Sequence, residues 1–532
     1  MSNTHRMFAI LFVVLLSPSA LGEPTASSRP NFLILLADDM GFSDAGCYGG
    51  EIHTPNLDTL AGGGLQFSQG YNTGRCWPSR AAILTGYYAQ QVQRDTIPGR
   101  LRLGSRPSWA PLLPQRLARL GYRNYHSGKW HLDGPAIPQG FHRSYMIVDQ
   151  DRFFWPENHQ LDDQRLPTPP RDGDFYATTE IATRAVEFLR QHAAEHPDTP
   201  FCHYVAFTSP HFPLHALQDD IDRYRERYLV GWDAIRKQRH ARLAESGLLS
   251  AELSKRMDDV TLSRLSEAEL TAQIDPGEVR LAPAWDTLTE RQRQFQATKM
   301  AIHAAMIDRM DQEIGRIFAQ LEAMRAWDNT VIFFASDNGA SAEILDRGDR
   351  NELGATPGSG ESYLCLGPGW STAANTPFRY HKSWVFEGGV ATPFLLHWPE
   401  GIATPGTVRR QPAHLIDLAP TLLELAGGSW ADFPTAAQGP PTPGVSLVPL
   451  LRENPTTWQR PPIYWRHSNT LALRIGNWKA ARNRDDGAVW KLFDMQSDRT
   501  EMRDVAADHP KRVKQMVAEH AKIEQTFLDD LR

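Results

Sequence analysis

The sequence predicts an α/β fold: a mostly parallel sheet sandwiched by helices, with a smaller C-terminal α+β domain. Three observations carry this expectation. Asn31–Ala37 (Asn-Phe-Leu-Ile-Leu-Leu-Ala) and residues 330–335 (Thr-Val-Ile-Phe-Phe-Ala) are continuous apolar runs, the pattern of strands buried on both faces. Residues 109–120 and 294–321 read as helices, the second with Met306, Ile307, Met310, Ile314 and Ile317 on one stripe that marks core packing. After about residue 455 the pattern changes to short strands and a closing helix. The 532 residues thus divide into a main domain over 23–450, with a helical insert at about 219–290, and a C-terminal antiparallel sheet plus helix over 451–532.

Residues 1–22 read as a secretory signal: Arg6 precedes an apolar run over 7–16, and Ala20-Leu21-Gly22 offers a small-residue cleavage site. The run is too short to span a membrane, and no later segment is long and apolar enough to do so. The expected product is exported, periplasmic or secreted, without stable membrane insertion. The chain has 56 basic and 62 acidic residues, a net charge of −6, and loss of the signal removes Arg6 and no acid, leaving −7. That mild acidity is not the footprint of a nucleic-acid-binding protein. Four cysteines, Cys47, Cys76, Cys202 and Cys365, are too few for a disulfide scaffold. If Cys76 is chemically consumed, the other three allow at most one bridge within the chain.

The first apolar run ends in Asp38-Asp39 and the other leads into Ser336-Asp337-Asn338-Gly339. Adjacent carboxylates at a buried strand end are unfavourable unless something neutralises them. A divalent cation does so, and oxygen-only ligation points to calcium or magnesium. In open α/β sheets ligands bind at the carboxyl edge, so Asp38, Asp39, Asp337 and Asn338 are expected to converge on one cation.

Between these runs lies Cys76-Trp77-Pro78-Ser79-Arg80, then Leu84-Thr85-Gly86. Pro78 suits a helix start and Gly86 a helix end. Cys76 would then sit at a positive helix terminus, with Arg80 one turn on along the same face. A short strand over 123–126 leads into Gly128-Lys129-Trp130-His131-Leu132, where alternation points Lys129 and His131 the same way. Another over 201–207 runs into Thr208-Ser209-Pro210-His211-Phe212-Pro213, where flanking prolines restrict the histidine as suits a general acid.

Cys76 to Gly86 and the Gly-Lys-Trp-His-Leu segment resemble the two signatures of type I sulfatases, in the alkaline phosphatase superfamily. The resemblance runs from about residue 30 to the end, where Leu492-Phe493-Asp494 and Asp504-Val505-Ala506 resemble the usual closing sequence. It implies an alkaline-phosphatase-like sheet. It also implies that a separate formylglycine-generating or sulfatase-maturating enzyme oxidises Cys76 to Cα-formylglycine. Cys76 in that form would join Asp38, Asp39, Asp337 and Asn338 around calcium. Lys129 and Lys382 would bind sulfate, Arg80 and His131 would contact formylglycine, and His211 would protonate the leaving group. Where many relatives have glycine after the Leu132 equivalent, this chain has Asp133; where many have arginine after the glycine pair, it has Ala391.

The insert, rich in Arg, Glu and Asp, reads as a solvated helical cover, and its Gly231-Trp232-Asp233 resembles bacterial arylsulfatases. Residues 339–375 read as a long loop at the pocket mouth, with His215 near the rim. Residues 414–427 begin a helix with Asp417 as N-cap and Pro420 in its first turn. The C-terminal strands are expected at 462–466, 471–480 and 490–495, and the last helix from about Lys511. The function implied is sulfuric ester hydrolysis on a sulfated carbohydrate or aryl sulfate. The alternatives are a related phosphonate or phosphodiester hydrolase and a non-catalytic sulfated-glycan binding protein.

Overall fold

The computed structural model describes residues 29–95, 105–345, 351–432, 439–483, 487 and 489–531; the expected signal segment lies outside these described residues. In chain order the strands of the main domain are β1 (Asn31–Ala37), β2 (Leu65–Phe67), β3 (Gly70–Tyr71), β4 (Arg123–Lys129), β5 (Arg143–Ile147), β6 (His159–Leu161), β7 (Gln164–Arg165), β8 (Phe201–Ala206), β9 (Thr330–Ser336), β10 (Phe394–His397), β11 (Thr407–Arg409) and β12 (Ala413–His414). A ten-stranded sheet has the order β11-β2-β10-β9-β1-β8-β4-β5-β6-β7, and β3 pairs with β12 apart from it. The five central strands, β9-β1-β8-β4-β5, are parallel. β10 runs antiparallel between β9 and β2. The architecture is alkaline-phosphatase-like: a mixed, mostly parallel sheet between helical layers.

The continuous apolar run of β1 follows from this position. Its alternate side chains feed opposite layers: Leu33 and Leu35 pack with the helices Ala177–Glu195 and Glu290–Ala323. Phe32, Ile34 and Leu36 pack with Cys76–Thr85, Leu113–Arg119 and Leu418–Leu425. No solvent-facing side remains to call for polar residues.

Several boundaries differ from those the sequence suggests. The helix expected over 109–120 forms only at Leu113–Arg119, with Pro114 in its first turn. The 294–321 helix begins earlier, at Glu290, because Thr289 and Gln292 form a reciprocal capping box. The 123–126 strand continues to Lys129 because β5 pairs with it that far. The loop over 339–375 contains a helix, Gly367–Ala374, with Pro368 in the first turn. Asp417 holds the N-cap position of Leu418–Leu425 but its side chain makes no cap bond to that helix; its Oδ2 instead accepts from His414 N (2.8 Å) and pairs with Arg460 at 2.6 Å.

The insert holds the helices Gln218–Asp222, Trp232–Glu245 and Glu267–Gln273. It is not a solvated layer alone. Trp232 is fully buried, edge-on to Trp285 (4.7 Å) and Trp370 (5.7 Å). Fully buried Arg239 ion-pairs with Asp44 and Glu51, each at 2.7 Å.

The C-terminal sheet is β13 (Ile463–His467), β14 (Thr470–Ile475), β15 (Trp478–Arg482) and β16 (Lys491–Asp494), antiparallel in that order. The single strand read over 471–480 is therefore a hairpin. Its apolar alternation carries across a two-residue Gly476-Asn477 turn, where Gly476 takes φ 57°. This sheet and the helix Pro510–Asp530 close over the far end of the Cys76 helix through Ala82, Tyr88, Tyr464 and Phe527. No helix among the described residues is long and apolar enough to cross a membrane, and the four cysteines are free thiols.

Three histidines are fully buried, His126 on β4, His203 on β8 and His381 in the segment after the helix Gly367–Ala374. His126 pairs with Ser144 Oγ (2.9 Å), His203 with Ser127 Oγ (3.1 Å) and His381 with Ser371 Oγ (2.8 Å). Burial pushes each from 6.5 down to about 3. Unfolding lets these rings take up protons below about pH 6.5 that the native state refuses until about pH 3. Stability should therefore be intact above pH 6.5 and fall steadily from there toward pH 4. Thermal unfolding midpoints across pH 4–8 test this; a midpoint constant between 6.5 and 4 contradicts it.

Candidate functional site

The carboxyl ends of β9, β1, β8 and β4 lie side by side, and each delivers polar groups to one buried place. Asp38 and Asp39 end β1. Asp39 adopts φ 68°, a left-handed conformation that Asp tolerates. This kink lets both carboxylates serve the same place: ligand atoms of Asp38, Asp39 and His211 lie within 4.8 Å of one another. Beyond β9, Asn338 Nδ2 donates to Asp39 Oδ1 (2.6 Å) and to Gly339 O (3.0 Å). Gly339 has to be glycine, since a Cβ there would sit 1.9 Å from Gly388 O.

The helix Cys76–Thr85 starts two residues ahead of Pro78, which still falls in the first turn where its missing N–H is harmless. Arg75 precedes it in extended conformation and Gly86 ends it at φ 73°. Every residue of the helix is buried. Arg80 sends Nε (3.0 Å) and one terminal nitrogen (2.8 Å) to Asp337 Oδ2, and the other terminal nitrogen to Lys129 O (2.8 Å). It also lies 3.4 Å from Asp38 Oδ2. The guanidinium fork therefore locks three strand ends to the Cys76 helix. Ser79 helps: its Oγ donates to Asp337 O (2.5 Å) and accepts from Thr73 N (3.1 Å).

Lys129, the last residue of β4, is buried and ion-paired with Asp38. Gly128 allows that approach, with φ 113° and only 2.0 Å between a would-be Cβ and Ala206 O. His131 leaves the extended path at φ 51° and stands edge-on to Trp77 at 5.0 Å. Lys382 Nζ lies 2.8 Å from Asp39 Oδ1 and 3.5 Å from Glu343 Oε2. His211 Nε2 is 3.7 Å from Asp39 Oδ2, and its Nδ1 bonds to Phe212 O. The ten residues named from the sequence thus gather at one sheet edge, nine of them buried and His131 half-buried. His215 stays outside, held by Ser362 O (2.6 Å) between Phe153 and Phe154.

The charges are interdependent. Burial alone would raise the Asp38 carboxyl; Lys129, His211, Arg80 and Lys382 overcome it and hold Asp38 ionised, below its ordinary range. Burial and repulsion from Asp38 push Asp337 the other way, against Arg80. Lys382 stays protonated despite burial because Asp39 and Glu343 face it. Burial lowers both histidines, with Asp39 opposing at His211 and Lys129 and Arg80 adding to it at His131. Burial also raises the Cys76 thiol, more than Lys129 and Lys382 lower it. The thiol is therefore a poor nucleophile as it stands.

The donor set fits a hard divalent cation. Asp38 Oδ1 and Asn338 Oδ1 are buried with no hydrogen-bond partner, a costly arrangement for oxygen atoms unless an ion uses them. Ligand atoms of Asp38, Cys76 and Asp337 also lie within 4.8 Å of one another.

Sequence reasoning missed Glu343, Asn72 and Arg94. Glu343 bridges Lys382 and Arg75 (3.9 Å), with Arg75 tied to Ser383 Oγ (2.6 Å). Asn72 takes Trp465 Nε1 on its carbonyl (2.7 Å) and caps Gly74 N (2.8 Å), linking the C-terminal sheet to the turn before Cys76. Arg94 grips Asp133, the departure noted above, at 2.7 Å. None lies in a recognisable motif.

Residues 30–429 match the sulfatase family, and residues 378–526 match the N-sulphoglucosamine sulphohydrolase C-terminal family. An arylsulfatase of Klebsiella aerogenes is 30% identical over 436 residues, covering 75% of this chain and 87% of that relative. N-acetylgalactosamine-6-sulfatase of Homo sapiens is 27% identical over 474 residues, covering 86% and 73%. The crystal structure of Ps i-CgsB in complex with k-i-k-neocarrahexaose is similar in fold, with TM-score 0.66, 22% identity and 93% of each chain covered.

If the unpartnered oxygens serve a cation, calcium should stabilise the native protein, by about 2.7 kcal/mol at a hundredfold excess over Kd. The check is the unfolding midpoint with calcium or with chelator. Asn338→Ala should lose most of the calcium-dependent rise; an equal rise in that variant contradicts the assignment.

Proposed function

The chain belongs to the sulfatase family and hydrolyses sulfate esters; from that premise we propose that its substrate is a sulfated carbohydrate, and that it works with Cα-formylglycine made from Cys76 and one bound calcium ion. The observation that carries this reading is the pair of open buried oxygens, Asp38 Oδ1 and Asn338 Oδ1, in a site that also holds Cys76. Asp38, Asp39, Asp337 and Asn338 would hold the ion, with modified residue 76 beside them. When bound, calcium supplies Lewis-acid neutralisation of sulfate oxygens, and formylglycine supplies a hydrated aldehyde as nucleophile.

The chain's own residues do the rest. Lys129 and Lys382 present fixed ammonium groups to the sulfate oxygens, where preorganised charge is most effective. Arg80, with its fork taken by Asp337, Lys129 O and Asp38, fixes the carboxylates relative to residue 76. His211 donates Nδ1–H to Phe212 O, so Nε2 carries the transferable proton only when the ring is doubly protonated; Asp39 stabilises that form. His131 offers an unpartnered Nδ1 as proton acceptor during sulfate release. A maturation enzyme must act on Cys76 before the helix is buried. On this reading residues 1–22 serve as an export signal, and the working enzyme would act outside the cytoplasm.

Two outcomes test this reading. Cys76→Ala should lower sulfate release by at least a thousandfold while calcium-dependent stabilisation persists in part; retained turnover overturns it. His211→Ala should cost about 10²–10⁴-fold on a sugar sulfate and much less on 4-nitrophenyl sulfate, whose leaving group needs no proton. Equal losses on both would remove His211 from the role of general acid.

A further inference from the structure

Lys129 and His131 also line a cavity of about 450 Å³ beside the start of the Cys76 helix. Its size suits a small-molecule pocket. Trp77, Met146 and Val148 supply apolar wall, and Gln150 and Gln160 supply amides. Apart from Lys129 and His131, no titratable side chain lines it among the described residues. Several charges close to it in sequence are already paired: Asp133 with Arg94 at 2.7 Å, and Arg152 with Glu157 at 2.8 Å and Asp149 at 3.8 Å. Lys129 is committed to Asp38.

Two features point to an occupant. Trp77 is 5% exposed and its Nε1 has no hydrogen-bond partner, an unusual state for a buried indole. Val148 is 45% exposed, leaving apolar surface at the rim of the same cavity. An uncharged ring would cover that surface, and its hydroxyl or ring oxygen could accept from Trp77.

We propose that this cavity receives the organic half of the sulfate ester and selects an uncharged leaving group, a neutral sugar unit or aryl ring bearing a single sulfate, over one that carries a second anion. The proposal rests on the sulfatase reading and deepens it. A second sulfate or a carboxylate in this cavity would be stripped of water with no cation to meet it beyond Lys129, which is paired with Asp38 and serves the reacting sulfate, and buried uncompensated charge is strongly rejected. A neutral ring gives up only weakly held hydration and gains contact with Trp77 and Met146.

The test uses full-length protein with formylglycine content verified by mass spectrometry. Its substrates are matched pairs: phenyl sulfate against 3-carboxyphenyl sulfate, and each cleaved hexosamine monosulfate against its disulfated counterpart. The kcat/KM of the singly charged member should exceed that of its partner at least tenfold. Val148→Arg, at the exposed rim, should shrink that ratio at least tenfold. A wild-type ratio below ten, a reversed preference, or a ratio unmoved by Val148→Arg overturns the proposal while leaving the sulfatase reading standing. Cleavage of bis(4-nitrophenyl) phosphate with all sulfate esters inert overturns both.

Discussion

Everything in this structure turns on three carboxylates gathered at the carboxyl edge of a buried parallel sheet. Asp38, Asp39 and Asp337 are each at most 3% exposed. Like charges this close and this dry cannot stand alone, since the desolvation penalty is several kcal/mol per ion. The chain meets them with Arg80, Lys129 and Lys382, which are equally buried. Removal of any one cation would leave an uncompensated charge, so the acids and bases of the site form one unit. The two oxygens left over, on Asp38 and Asn338, have no hydrogen-bond partner and are open to a further positive charge.

The fold exists in the form that makes this unit rigid. Five parallel strands bring their carboxyl ends to one edge, and the fully buried helix carrying Cys76 and Arg80 is tied to that edge through the Arg80 guanidinium. The C-terminal sheet contributes through Trp465 and Asn72, bracing the turn before Cys76. A second buried ionic cluster, Glu387 with Lys479 (2.9 Å) and Arg499 (2.7 Å), anchors the Gly388-Gly389 segment that presses on Gly339. The smaller domain is thus part of what holds the site in shape.

Much of this was legible in the sequence. Unbroken apolar runs ending in acids and amides declare both a two-face-buried strand and an unfavourable terminus, so β1 and β9 and their polar ends could be read residue by residue. Cys76, Arg80, Lys129 and His131 were legible because their spacing carries a chemical demand as well as a family pattern. Other features were not. Glu343 meets Lys382 only through tertiary approach across a loop. The helix Gly367–Ala374 hides in a Gly-Pro-Gly stretch that reads as a breaker, although proline in a first turn costs nothing. The β14–β15 hairpin hides because its apolar alternation continues through Gly476-Asn477. Trp232 and Arg239 are buried in a segment whose composition suggests solvent, because each finds partners, Trp285 and Glu51, far away in the chain.

The central claim is that Cys76 is a precursor and that its modified form does the chemistry inside this charge-balanced site. The most direct measurement is specific activity against the fraction of residue 76 found as formylglycine, across preparations made with different levels of maturation enzyme. The account predicts a straight line through the origin, with calcium-binding stoichiometry unchanged along it. Activity that stays constant while the modified fraction falls toward zero would contradict the account.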